Sequence, residues 1–312
     1  MNIKQIVKKL VGFSPRQGKN LILASRFIID FISKNKITHK LQYMKAKTPL
    51  TLKAELFVDG KKIKCEGCSF VGGKINGKEA ITSSQISSRY LIDVSNINFN
   101  PSGKAICRNN FYFAPAVAID KKDVSTIFKA KRVLGEVKIK VVSTRVPHIL
   151  AGNFKNPKNI VFAHYDSIGS GSIDNASGVA VSLATLVKYP EILKQTLFVF
   201  DGNEELSYDY PTYWGHGFRV FEKRNFRIMD ECKKIVPLDS VGNGKTFVSR
   251  DPKLIRLAFP ITNIERWNKK ISTLCGDVED LMTVYHSDAD KPSKLKEEYL
   301  QDALRVLVME LE

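Results

Sequence analysis

Five residues of this 312-residue chain have the types and spacing for metal-assisted hydrolysis: His164, Asp174, Glu205, Asp239 and His286. His164 directly follows the apolar run Ile160–Ala163, and Asp166 stands two residues on, near enough to accept the imidazole's second N–H and fix its tautomer. Alone, a strand-end histidine reads as a hydrogen-bonded surface residue. Asp174, on the Gly/Ser loop that opens an apolar stretch, alone reads as a helix N-cap. Glu204-Glu205 changes the balance, because adjacent carboxylates at the end of a buried strand repel unless a cation or proton lies between them. One of the two can bind a metal while the other carries protons. Asp239 closes a third apolar run, and His286 lies in TVYHSDADKP. Imidazole and carboxylate suit Zn²⁺ as borderline nitrogen and oxygen donors, with cobalt and manganese able to take the same set. Five ligands with one carboxylate shared make two sites, each keeping a position for water. Two such ions acidify a bridging water and polarise a carbonyl, and a free glutamate passes the proton to a leaving amine. Peptide or amide hydrolysis is the chemistry this set suits.

These side chains need elements to place them. From 18 to 35 the apolar residues Leu21, Ala24, Phe27, Ile28 and Ile32 fall at helical spacing. From 46 to 145 short β-branched runs (LKAELFV, RYLIDV, VKIKVV) alternate with turns at Asp59-Gly60, Gly72-Gly73 and Asn76-Gly77, predicting a small β-rich module. After Asn159, buried strands over 160–163, 197–200 and 235–238 and an apolar helix over 178–187 predict an α/β sheet. In such sheets ligands gather at the carboxyl ends of the strands.

The bulk composition, 43% hydrophobic and 26% charged, is that of a folded chain. No apolar run approaches the ~20 residues that span a bilayer, and the N-terminus lacks the apolar core of a secretory signal. No membrane partner and a cytoplasmic location are therefore expected. The net charge of +17 could mark a nucleic-acid binder, but the basic residues are dispersed and no aromatic RNA-binding signature accompanies them. A solvated lysine-rich surface is the preferred reading. Five irregularly spaced cysteines do not make a disulfide framework. Cys65 and Cys68 have a zinc-knuckle gap but no second pair, so a structural role is expected; a disulfide through Cys107 is left open.

In HYDS (164–167), DNASGVA (174–180), EEL (204–206), LDSVG (238–242) and YHSDADKPSKL (285–295), the sequence resembles the co-catalytic di-zinc aminopeptidases of peptidase clan MH. Bacterial leucyl aminopeptidases belong to that group; glutamate carboxypeptidase, glutaminyl cyclase and the transferrin receptor are relatives. The similarity covers about 160 to 300. It implies a three-layer α/β fold of the zinc exopeptidase, phosphorylase/hydrolase-like type: a mixed central sheet flanked by helices. Residues 1–45 and 146–312 would form the catalytic domain. Residues 46–145 would be an inserted β-rich module, where FAPAVAIDKKDVSTI resembles a strand and helix of a protease-associated domain. The resemblance also divides the labour: His164 and Asp239 on one zinc, Glu205 and His286 on the other, and Asp174 bridging. Glu204 would be the general acid/base and Asp166 the residue orienting His164.

The sequence departs from the family in two places. The Ser-Asp-His and Gly-Ile-Pro segments expected between Asp239 and His286 are not evident, which leaves the specificity pocket undefined. The stretch after Glu205 is rich in aromatics, and Tyr210, Tyr213, Trp214 and His216 are candidates to line the cleft or to pack. An aminopeptidase acting on peptides is the preferred function, with self-association left open. A carboxypeptidase, another amide hydrolase or a glutaminyl cyclase is the alternative enzyme, and a non-catalytic binding protein on this scaffold the alternative of another class.

Overall fold

The computed structural model describes residues 1–78 and 80–312. The chain opens with helices α1 (Ile3–Val11) and α2 (Gly18–Lys34). α1 is not among the elements expected from the sequence. Its Ile3, Ile6, Val7 and Leu10 recur at helical spacing and are buried, and Asn2 and Gln5 cap it reciprocally. Strands β1 (His39–Val58), β2 (Lys61–Ile63), β3 (Cys65–Gly67), β4 (Gly73–Asn76), β5 (Ile81–Ser83), β6 (Asn96–Phe99) and β7 (Ala116–Ile119) follow. Then come helix α3 (Val124–Lys129) and strands β8 (Val133–Gly152) and β9 (Asn159–His164). Helix α4 (Gly178–Lys188), strand β10 (Thr196–Asp201), helices α5 (His216–Arg224) and α6 (Phe226–Glu231) and strand β11 (Lys234–Pro237) complete the central layer. The chain ends with strand β12 (Phe247–Ser249), helices α7 (Pro252–Ala258) and α8 (Ile264–Trp267), strand β13 (Thr273–Cys275) and helices α9 (Val278–Met282) and α10 (Glu297–Leu311).

The central sheet runs β11-β9-β10-β8-β1-β2, with β4 on the far half of β8. β9, β10 and β11 are mutually parallel, whereas β8 and β1 are antiparallel to their neighbours, so the sheet is mixed as expected. Its three parallel strands are apolar on both faces, because successive side chains point to opposite sides and both sides are covered. Val161, Ala163, Phe198 and Phe200 pack with α1, α2, α4 and α10. Ile160, Phe162, Leu197 and Val199 pack on the other face with Phe218, Phe221, Phe259 and Trp267. The result is the three-layer sandwich.

β1 and β8 are 20 residues each and pair from His39↔Ala151 to Val58↔Val133, with one register shift between Thr51 and Lys53. Both edges of the predicted insert fall inside these two strands. At their far ends a second sheet, β3-β7-β6-β5, packs its apolar face with Leu56, Val58, Ile75, Val133 and Ile127 of α3. Its other face joins a cluster of Phe70, Phe111 and Tyr112 with Ile168, Leu206 and Tyr213 from the loops that follow β9 and β10. One expectation is corrected here, and one open question is closed. RYLIDV (89–94) is not a strand: Ser87 accepts from the Arg89 amide and starts a 3₁₀ turn at Ser88–Tyr90. All five cysteines are free thiols, Cys107 among them. Among the described residues no helix is long and apolar enough to cross a membrane.

Candidate metal centre

The candidate ligands meet at one rim of the sheet. β9 presents His164 at its last position, in register with Asp201 of β10. β10 continues through Gly202 to Glu204-Glu205, and β11 through Leu238 to Asp239. Asp174 sits on the loop before α4, and that loop lies against the exit of β11 because residue 178 is glycine. A Cβ there would stand 2.6 Å from the Leu238 carbonyl. Asn175 closes the joint: its Oδ1 accepts from the Gly178 and Ser240 amides (3.0 and 3.3 Å), and its Nδ2 donates to Leu238 O (2.9 Å). Ser240 and His286 both hold the left-handed backbone (φ +55°), a strain that clusters at functional sites.

Asp174 stands between the two histidines. Its Oδ1 is 3.0 Å from His164 Nε2, and its Oδ2 is 3.3 Å from His286 Nε2. His164 Nε2 also faces Asp239 Oδ1 at 3.5 Å, and His286 Nε2 faces Glu205 Oε2 at 2.7 Å. Atoms of His164, Asp174 and Glu205 lie within 4.8 Å of one another. All five residues are buried except Asp239, which is half-buried. Asp166 lies 3.3 Å from His164 Nδ1 and also receives the Glu204 and Glu205 amides at 3.1 and 2.9 Å, so it anchors the Glu-Glu turn as well.

The lone pairs decide whether a cation fits. His286 Nδ1 faces the carbonyl of Arg108 at 3.1 Å; a carbonyl only accepts, so Nδ1 carries the proton. Nε2 then turns a bare lone pair towards two carboxylates, and it is buried without a hydrogen-bond partner, as is Glu205 Oε1. Acceptor facing acceptor in a dry site is unfavourable unless a proton or a metal lies between them. The proton affinities register this frustration. Burial disfavours the His286 cation, but Glu205 and Asp174 hold its pKa up at about 10. Burial and the Asp174 charge push Glu205 to about 7. Burial drives Glu204 well above the usual carboxylate range, with Glu205, Asp166 and Asp239 reinforcing it against the pull of His164. A donor set of two imidazoles and three carboxylates fits Zn²⁺ at these positions.

Several residues at the site were not singled out from sequence. Arg16 is fully buried and donates to the carbonyls of Tyr165 (2.7 Å), Gly171 (3.0 Å), Ser170 (3.1 Å) and Asp166 (3.3 Å), clamping the loop after His164. Nothing marks it among 49 Lys and Arg residues. Asp290 accepts from the Ile173 and Asp174 amides at 2.8 and 3.1 Å; its place four residues after His286 was the available signal. The aromatic candidates divide. Tyr213 is buried, with its hydroxyl receiving the Phe111 amide at 2.9 Å. Exposed Tyr210 donates to Asp93 (3.0 Å), and Trp214 donates to Leu257 O (3.1 Å) under Arg89. His216 pairs with Asp209 at 2.8 Å. The Gly215 amide bonds to Glu204 O, which keeps this segment beside the Glu-Glu turn.

The fold is that of the zinc aminopeptidases. BSAP, a zinc aminopeptidase from Bacillus subtilis, superposes with a TM-score of 0.71 at 16% identity, over 99% of this chain and 93% of that one. The aminopeptidase from Aneurinibacillus sp. strain AM-1 gives 0.63 at 16% identity, over 98% and 91%. A glutaminyl cyclase from Porphyromonas gingivalis gives 0.52 at 12%, over 99% and 96%. Residues 148–249 match the model of peptidase family M28, and this segment carries four of the five candidate ligands. The resemblance read from the motifs is thereby borne out. No curated protein matches the chain in sequence.

Proposed function

We propose that this chain is a two-zinc aminopeptidase that removes N-terminal residues from peptides. The observation that carries the reading is the placement of Asp174, whose two oxygens face different histidines. His164, Asp239 and Asp174 would hold one ion, and Glu205, His286 and Asp174 the other. When bound, the ions acidify water and polarise the scissile carbonyl. The chain's own residues do the rest. Glu204 is the one carboxylate of the Glu-Glu pair with no histidine within ion-pair distance, and its raised proton affinity suits it to take a proton from the attacking water and return it to the leaving amine. Asp166 orients His164 while holding the Glu204 and Glu205 amides, so base and ligand are set by one side chain. Arg16 pins the segment that leads up to Asp174, and Asp290 holds the amides of Ile173 and Asp174 themselves, fixing the shared carboxylate from behind.

A glutaminyl cyclase is the second reading, favoured by the cyclase on the same fold and by the aromatic segment beside Glu204. One experiment separates the two. The zinc-loaded protein is given peptides beginning with leucine or glutamine, and the same peptides acetylated, with products read by mass spectrometry. An aminopeptidase releases the free first residue and ignores the acetylated forms. A cyclase leaves the glutamine peptide 17 Da lighter through loss of ammonia, and a carboxypeptidase shortens the acetylated peptides. Either of the last two results would overturn the aminopeptidase reading.

A further inference from the structure

The groups holding His286 do not all come from its own half of the molecule. Residue 108 lies in the β-rich module, 178 positions away, yet its carbonyl accepts from His286 Nδ1. The contact is reciprocal, because the Arg108 amide donates to His286 O at 3.3 Å. The guanidinium extends the link: Nε reaches His286 O at 3.4 Å, and Nη2 donates to Ile168 O at 3.1 Å. Ile168 belongs to the loop that follows His164. One side chain thus ties together the two loops that carry the two histidines.

The segment around Arg108 is itself fixed. Asn100 donates to Cys107 Sγ at 3.1 Å and to Met282 O at 2.8 Å. Asn109 and Asn110 are buried, and Asn110 donates to the carbonyls of Ser84 and Ile86 at 3.2 and 2.9 Å. Phe111 donates its amide to Tyr213, on the segment that follows Glu205. Within five residues the module therefore reaches the loops of His286, His164 and Glu205.

We propose that Cys107–Phe111 is a working part of the metal centre and that Arg108 is a positioning residue for His286. The carbonyl at 108 selects the tautomer that leaves Nε2 free, and the guanidinium holds the His286 loop in register with the His164 loop. The proposal rests on the two-ion reading above. It assigns to the module a share in the affinity for the ion held by Glu205 and His286, which a module that only covered the cleft would not have. Partners of metal-bound histidines typically contribute about 10- to 100-fold in metal affinity.

The test is Co²⁺ titration of the metal-free full-length chain, followed by visible absorption and calorimetry, with Arg108→Met and Arg108→Lys. Methionine keeps the aliphatic stem and the main-chain contacts but loses the donors. Wild type is expected to take up two equivalents. Arg108→Met should bind the first as wild type does and the second about 10-fold or more weakly, with part of the loss restored by free guanidinium ion. Arg108→Lys should fall between them, since a point charge cannot serve both carbonyls. Wild-type uptake of both equivalents by Arg108→Met overturns the proposal and leaves the two-ion reading standing. Equal weakening of both equivalents, unresponsive to guanidinium, also overturns it, as general destabilisation. Fewer than two equivalents in wild type overturns the two-ion reading, and the proposal with it.

Discussion

Replacing Arg16 by methionine removes the one fully buried Arg or Lys among the described residues. Its guanidinium donates to four carbonyls of the loop between His164 and Asp174. A hydrogen bond from a charged donor is worth about 1.5–3 kcal/mol, so four of them set an upper bound of roughly 6–12 kcal/mol. Two effects reduce that bound. Burial disfavours the Arg16 cation, as its lowered pKa indicates, so removing it relieves a desolvation cost. Some of the freed carbonyls also take up water. Breaking a buried charged network typically costs about 3–5 kcal/mol, and about 4 kcal/mol is the expected loss. At about 2.1 cal/mol/K of unfolding entropy per residue, 312 residues give roughly 0.66 kcal/mol/K. The melting temperature should then fall by about 6 °C. Thermal scanning with and without zinc measures it, and Arg16→Lys should recover only part, because an ammonium cannot fork to four acceptors. A shift under about 1 °C in Arg16→Met, with zinc content unchanged, would refute the clamp.

Glu204→Gln should lower turnover by about 10²- to 10⁴-fold, the usual worth of a positioned general acid/base, while metal analysis still finds wild-type zinc. Loss of zinc along with turnover would instead make Glu204 a ligand. Stripping the metal should destabilise the fold: at free zinc about 1,000 times its dissociation constant, one site contributes about 4 kcal/mol. A chelated sample should therefore melt several degrees lower, and an unchanged melting curve would argue against a native-state site. Asp209, beside His216 and Arg219, has its pKa held well below the usual range, first by the His216 hydrogen bond. Its folded pKa lies below its unfolded one, so its contribution is complete above about pH 4 and is lost as the pH falls through the folded pKa. Side-chain carbonyl NMR should show Asp209 still ionised where exposed aspartates have protonated; titration near pH 4 would contradict the pairing.

The parts legible in the sequence were those whose cause is local. His164 and Asp239 were visible because each follows an apolar strand buried on both faces, a pattern that marks the carboxyl rim of a parallel sheet. Glu204-Glu205 was visible because two adjacent carboxylates at such a rim call for a counter-charge. What lay beyond reach acts across the chain. Arg16 meets its carbonyl partners about 150 positions away, and Arg108 meets His286 178 away. No local spacing encodes either contact. α1 was within reach, its spacing obscured by the interleaved lysines on the solvent face. RYLIDV misled because its alternation matches a strand, yet Ser87 turns the backbone before any strand can pair with it. The expected boundaries at 46 and 145 fall within the β1–β8 ribbon, since nothing in a strand's sequence says how far its pairing runs past one core towards the next.

The claim on which the rest depends is that two ions sit around Asp174. Anomalous diffraction at the zinc edge, from crystals of zinc-equilibrated protein, tests it directly. Two peaks are predicted, one among His164, Asp174 and Asp239 and the other among Asp174, Glu205 and His286. A single peak, or none at these residues, would contradict the account.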